Sequence, residues 1–180
     1  MMKRSLEEIQ LEVAQWSKSQ FGQQQSQVDP DLFLRSLAPL LGLAEECGEY
    51  FASQNEEETK DALADIGIFL CDYAGREGFI LQEPERVLWL ADGWDEDVTR
   101  LDAVVGIVVS VGRLCHVTLK RHQGIRGMDQ PEMYREVRNL MVNRLMFYCI
   151  QAAREEFEVQ WLDLVTTTWD KIVSKRDWSK

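Results

Sequence analysis

The chain has 180 residues, of which 45% are apolar and 28% charged, which is the balance of one soluble globular domain with a sizeable core. Its formal net charge of -11, from 31 acidic and 20 basic residues, disfavours broad binding to nucleic acid, because such binding requires a basic surface. The longest apolar run covers residues 103–111, whereas a membrane span takes about 20 residues. The N-terminal residues lack the apolar core of a signal peptide, so we expect a cytoplasmic protein that binds neither nucleic acid nor membrane.

Apolar residues recur with helical spacing along the chain, and no segment alternates convincingly as a strand does. The pattern predicts helices over residues 5–20, 31–52, 56 to 75–78, 97–122, 131–157 and 159–175. Ser5 and Glu8 form a capping box at the start of the first helix, and a polar loop runs from Phe21 towards Pro30. Pro39 is expected to kink the second helix or to separate its first turn.

Residues 79–96 are the least regular part of the chain, with Pro84 and Asp92-Gly93 as breakers and room for a short helix over 87–90. We find no internal repeat. The sequence therefore predicts an all-α bundle of five to six helices, built as a single domain from residues 1–180.

The cysteines lie inside apolar helical patterns and show no paired spacing; they are Cys47, Cys71, Cys115 and Cys149. This arrangement predicts buried free thiols in a reducing compartment. With only His116 and His122 available as further soft ligands, a zinc site is not expected.

The helices on either side of residues 53–55 carry carboxylates at helical spacing. Glu46 and Glu49 are three residues apart and Asp61 and Asp65 four apart, so each pair shares one helix face. The short hinge makes the helices antiparallel, which brings Glu49 and Asp61 within about one turn of the same height. Four carboxylates that converge repel one another unless cations neutralise them. An oxygen-only cluster of this kind suits magnesium or manganese.

A solvated acidic face is the alternative interpretation, because the acids of the third helix share an arc of about 60°: Glu58, Asp61, Asp65 and Asp72. The acidic partner helix favours the metal site, and Gly48 permits close approach of a backbone or ligand there. Spacing alone does not choose between Glu45 and Glu46 as the partner of Glu49. Glu45 or Glu58 could ligate through water or act as the base, and Asp72 is a second-rank candidate.

Residues Leu43 to Glu49, which read L-A-E-E-C-G-E, resemble the L-x-E-E-x-G-E signature of the MazG-like, all-α nucleoside triphosphate pyrophosphohydrolases. The family's second motif is usually Glu-x-x-Asp. Here Ala62 stands where its Glu would be, and Asp61 makes a D-x-x-x-D variant that stays on the face of Asp65. The resemblance implies a metal-dependent hydrolase that is a homodimer or higher homo-oligomer. It implies the magnesium ligands Glu46, Glu49, Asp61 and Asp65, and attack of water on the α-phosphorus to give a monophosphate and pyrophosphate.

The segment L-K-R-H-Q-G-I-R-G, from Leu119 to Gly127, resembles another recurring element of this family. It implies that Lys120 contacts phosphate or sugar, with Arg126 as a second contact and Arg121 beside them. The alternative is that these charges only complement the dipole at a helix C-terminus. Arg113, His116 and Lys120 also share one face of the helix, in the densest basic patch of the chain.

Trp16 and Phe21 occupy positions that the resemblance assigns to the base pocket, although core packing is the commoner role for such residues. An inactive helical interaction or nucleotide-binding protein is a rival hypothesis, because Ala62 replaces the usual Glu. A di-iron bundle is disfavoured, because no Glu stands three residues before either His. The base and the sugar of the substrate are not readable from these motifs.

Overall fold

The computed structural model describes residues 4–28, 32–90 and 99–175, with side chains throughout except at 20–28, 32–35, 90 and 100. Every regular element in these ranges is an α-helix, which confirms the all-α prediction. The described part contains seven helices rather than five to six: α1 (Leu6–Val28), α2 (Leu32–Ala52), α3 (Glu56–Glu77), α4 (Pro84–Leu90), α5 (Arg100–His122), α6 (Pro131–Phe157) and α7 (Trp161–Lys175).

The helix starts carry local signals. The predicted capping box of α1 is confirmed, because the Glu8 amide donates to Ser5 Oγ at 3.2 Å and the Ser5 amide to Glu8 Oε2 at 2.8 Å. Asn55 caps α3 by accepting from the Glu58 amide at 3.0 Å, next to three acids that favour the positive end of the helix dipole. α5 begins with a capping box at Thr99.

The prediction of a loop from Phe21 was wrong, since α1 continues to Val28. Residues 21–28 include four glutamines, which are good helix formers, and the single glycine costs only about 1 kcal/mol in a helix. Pro39 lies inside α2 and does not separate its first turn. Pro84 begins α4 instead of preventing it, because a proline at the first helical position lacks only an amide that would be unpaired there anyway.

α3 is the central helix of the bundle and contacts α1, α2, α6 and α7, while α5 packs on α2 and α6. Two close approaches depend on glycine. A Cβ at Gly42 of α2 would lie 2.3 Å from the ring of Phe69, and one at Gly67 of α3 would lie 2.5 Å from Val165 of α7. The short turn at residues 53–55 folds α2 back onto α3, and it is this hairpin that positions the acidic motifs.

The core runs through all seven helices, and its largest fully buried side chains include Trp161, Trp169 and Tyr73. All four cysteines are free thiols. Cys47, Cys71 and Cys149 are buried as predicted, whereas Cys115 is only half-buried. By length and composition the segment Leu101–His122 could cross a membrane, with half of its most apolar window buried inside the fold. A core helix of a soluble protein meets the same criterion.

Candidate functional site

The α2–α3 hairpin brings the two predicted carboxylate pairs together. The charges that act on Glu46 are those of Asp65, Glu49, Glu45 and Asp61, so α2 and α3 present these groups to one another. Glu46 is only 9% exposed, Asp65 is half-buried, and Glu49 and Asp61 lie at the surface. The four acids therefore differ in solvent exposure: two are set into the protein and two lie at its surface.

Burial and the neighbouring carboxylates perturb both inner acids. Loss of solvation, followed by repulsion from Asp65 and Glu49, raises the pKa of Glu46 to about 8. Burial, followed by repulsion from Asp61 and Glu49, raises the pKa of Asp65 to about 6. With a pKa of about 8, Glu46 keeps its proton near neutral pH, and a bound cation would displace it.

The chemistry of this donor set fits magnesium, because all four groups are carboxylates. As the side chains stand, no three acidic, histidine or cysteine residues of the described chain are close enough together to hold a metal ion. The site therefore has the carboxylate ligands that a cation such as magnesium prefers, but these ligands are farther apart than in a formed metal site.

A cavity of ≈ 390 Å³ opens directly beside Glu46 and Asp65. It lies between α1, α2, α3 and α7, and its lining is mostly apolar: Val13, Trp16, Ala38, Ile68, Phe69, Trp169 and Ile172. The rings of Trp16 and Trp169 meet edge to face, with their centroids 5.8 Å apart. Volume and lining are typical of a small-molecule site that takes a flat apolar group.

Asp72 and Arg76 line the cavity further along α3. Arg76 Nε donates to Asp72 Oδ1 at 2.9 Å, and Arg76 Nη2 donates to Ser17 Oγ at 2.8 Å. The two side chains are 11% and 10% exposed, respectively. The cavity thus has an acidic end at Glu46 and Asp65, aromatic walls, and a neutral ion pair at the other end.

Comparison of this chain with models of protein families, with curated proteins and with solved structures finds no match.

The predicted basic contacts lie elsewhere. Arg121 stacks on the Tyr134 ring at 4.2 Å and reaches Glu77 at 3.4 Å. Glu77 stands twelve residues beyond Asp65, about 18 Å further along α3. Lys120 bonds Gln123 at 2.7 Å, next to Arg121 at the same end of α5. This chain therefore does not bring Arg121 to its own carboxylate cluster.

Arg126 lies in the middle of the connection from α5 to α6, has a positive φ of 59° and lies 3.5 Å from His116. Arg113, His116 and Arg126 are all exposed, so the predicted basic patch exists as a surface feature beside Lys120. Its charges face solvent and are not buried against the core.

Arg121 is held in place by a buried network around Glu77, whose side chain is only 2% exposed. Glu77 accepts from Tyr134 at 2.9 Å and from Arg138 at 3.4 Å through Oε2, and from Ser36 at 2.5 Å through Oε1. A buried carboxylate needs such partners. The network gives Arg121 a structural role in this chain.

The remaining positions from the sequence analysis are Glu58, Gly48, Ala62 and Phe21. Glu58 accepts from the Gln54 amide at 3.1 Å and so completes the cap of α3. No described atom outside the helix backbone around Gly48 lies within 4 Å of where its Cβ would stand, so no other described backbone packs against it. Ala62 is 3% exposed, which means that a carboxylate there would be buried, whereas Asp61 is accessible. Phe21 falls within α1, but its side chain lies outside the described ones.

Sequence reasoning missed three residues of the cavity. Trp169 has the ordinary pattern of a core residue, and it is buried in the core while it also lines the cavity. Phe69 and Arg76 carry no signal of their own, because each fits an ordinary amphipathic helix. The spacing of Asp72 and Arg76, four residues apart, was the one readable hint.

Proposed function

We propose that the protein is a magnesium-dependent nucleoside triphosphate pyrophosphohydrolase, which converts a (deoxy)nucleoside triphosphate and water into the monophosphate and pyrophosphate. The observation that carries the proposal is the juxtaposition of four carboxylates from α2 and α3 with an aromatic cavity. The carboxylates suit the metal-bound phosphates, and the cavity suits a base. The resemblance of residues Leu43 to Glu49 to the MazG-like signature gives the reaction.

Glu46, Glu49, Asp61 and Asp65 would hold magnesium or manganese, with Glu46 and Asp65 as the buried pair. A bound divalent ion supplies Lewis acidity at the phosphates and a water of lowered pKa for attack on the α-phosphorus. The acids give up their protons when the cation enters, which ties binding to pH. Glu45 lies at the edge of the cluster and is the candidate for a base that orients water.

Trp16 would contact the base, since it lines the cavity next to Glu46 and Asp65 and is half-buried. Stacking on an aromatic ring tolerates every base, because each has a π-face, and so provides affinity without selection. The apolar walls would exclude water around the base and fix the orientation of the triphosphate towards the acids.

The basic residues Lys120, Arg121 and Arg126 would serve a substrate only if a second copy supplied them. We therefore include a homodimer or higher homo-oligomer in the proposal. An exposed apolar stripe on α5 supports it: Leu101, Val105, Val108 and Val109. Exposed apolar faces of this kind mark interaction sites. Buried free thiols agree with the cytoplasmic location included in the proposal.

The test is pyrophosphate release from a panel of ribo- and deoxynucleoside triphosphates, with magnesium and with EDTA. We expect turnover that requires magnesium and falls at least about a hundredfold in Glu49→Gln, because a metal ligand has been removed. Glu57→Gln, an exposed acid in the first turn of α3, is the matched control and should keep full activity. Turnover that persists in EDTA, or survives unchanged in Glu49→Gln, contradicts the assignment.

The second candidate is a nucleotide-binding protein without hydrolysis. It is favoured by the buried Ala62 in place of an acid, and by the spacing of the carboxylates, none of which form a group of three at ligand distance in the described chain. Binding of nucleotides without release of pyrophosphate, from a protein shown to be folded, would select this candidate.

A further inference from the structure

The two ends of the cavity differ in what they can recognise. Glu46 and Asp65 stand at the acidic end, while Asp72 and Arg76 form a pair with no net charge at the other. Asp72 lies seven residues beyond Asp65, about 10 Å along α3. That separation matches the span from the α-phosphate of a nucleotide to the far edge of its base.

The ion pair contributes little as a source of stability, because burying two charges costs about as much as their attraction returns. Its hydrogen bonds instead fix a direction. Arg76 donates Nε to Asp72 Oδ1 and Nη2 to Ser17, so these donors are committed to protein partners. Asp72 is held in one orientation and has a second carboxylate oxygen, which makes it the acceptor at this end of a mostly apolar lining.

We infer that Asp72, fixed by Arg76, accepts a hydrogen bond from the exocyclic amino group of the ligand's base, so that the cavity takes amino-bearing bases in preference to uracil and thymine. Cytosine carries this amino group at C4, adenine at C6 and guanine at C2, and a carboxylate accepts from such a group. Uracil and thymine place a carbonyl oxygen at the position of the cytosine amino group, and its lone pairs repel a carboxylate directed at that position. Their N–H donor lies one ring atom away, so the fixed carboxylate is not aligned with it. This inference rests on the proposed function, because it takes the ligand to be a nucleotide.

Matched substrate pairs test it. dCTP and dATP carry an amino group next to an unprotonated ring nitrogen. dUTP and dITP, their respective partners, carry a carbonyl next to a ring N–H at the same positions. We expect kcat/KM of the folded wild-type protein to favour the amino member of each pair by about tenfold or more, because a buried acceptor is left unpaired otherwise. In Asp72→Asn the amide can donate to a carbonyl, so the preference should fall at least about tenfold. Asp163→Asn, at an exposed site on α7, should leave the preference unchanged.

The outcomes separate the two proposals. Equal rates on both members of both pairs overturn the inference and leave hydrolysis standing, as does an unchanged preference in a folded Asp72→Asn. If that variant does not fold, Asp72→Glu keeps a carboxylate to pair with Arg76 and displaces the acceptor by one methylene. Loss of selectivity in Asp72→Glu supports the inference, and retention of selectivity overturns it.

If no triphosphate is hydrolysed, the proposed function fails. The inference is then tested on its own by calorimetric titration of the folded protein with dCMP and with dUMP. Tighter binding of dCMP that is lost in Asp72→Asn supports it. Equal affinity, or no binding of either, overturns it.

Discussion

The carboxylate cluster predicts an unusual dependence of stability on pH, which replacement of Glu46 by glutamine should remove. The pKa of Glu46 rises from 4.5 to about 8, first because of burial and then because of Asp65 and Glu49. Between those values the folded protein keeps a proton that the unfolded chain has released. The contribution of protonated Glu46 to the free energy of unfolding is therefore fully present below about pH 4.5 and is lost as pH rises towards 8.

The magnitude follows from the shift. Each pKa unit corresponds to 1.36 kcal/mol, so the metal-free protein loses at most about 5 kcal/mol through Glu46 across this window. Asp65, whose pKa rises from 3.8 to about 6, acts in the same direction, and the two groups titrate as one coupled set. Glu46→Gln keeps the shape of the side chain and removes its charge, so we expect several kcal/mol of added stability at pH 9 and little change at pH 4.5.

Urea unfolding of wild type, Glu46→Gln and the exposed control Glu57→Gln, each in EDTA at pH 4.5 and at pH 9, measures the free energies directly. Magnesium added at pH 9 should then stabilise the wild type far more than Glu46→Gln, because the cation neutralises the buried Glu46 carboxylate, which the variant lacks. A variant less stable than the wild type at pH 9, with the control unchanged, would refute our account of the cluster.

Three further predictions concern other regions. Glu77→Gln should destabilise the protein by about 3 kcal/mol in urea unfolding, because Arg138 is only 7% exposed and would lose its counter-ion; an unchanged midpoint would remove the network's structural role. Trp16→Ala should raise KM about tenfold while Trp89→Ala, which alters an exposed tryptophan on α4, does not; equal effects would exclude base contact. Val105→Asp should dissociate the oligomer in light scattering, and a wild-type mass equal to one chain would exclude the dimer.

The sequence by itself specified the helices and the acidic motif. Helical periodicity and capping residues such as Ser5 and Asn55 act within one or two turns, so they are readable without knowledge of partners. The short turn at residues 53–55 fixed the antiparallel hairpin, and the spacing of Glu46, Glu49, Asp61 and Asp65 then determined that the four acids would interact.

Local rules failed where the deciding factor was a distant partner or a weak preference. The extension of α1 to Val28 depends on small differences in helix propensity, and no sequence motif indicates it. Arg121 was predicted to contact phosphate because it is a basic residue at a helix end. The local sequence of such a residue does not show whether it contacts a ligand or a buried acid. Its contact with Glu77, forty-four residues away, required the packed fold.

Only the tertiary structure decided which side chains share the cavity. Trp16, Asp72 and Trp169 come from α1, α3 and α7, and their meeting depends on how those three helices cross. Tertiary packing also decided the protonation of the cluster, since the same carboxyl group titrates near 4.5 in solvent and near 8 at Glu46, where burial and neighbouring charges act together. The sequence names the acids, and the burial of two of them gives the site its electrostatic character.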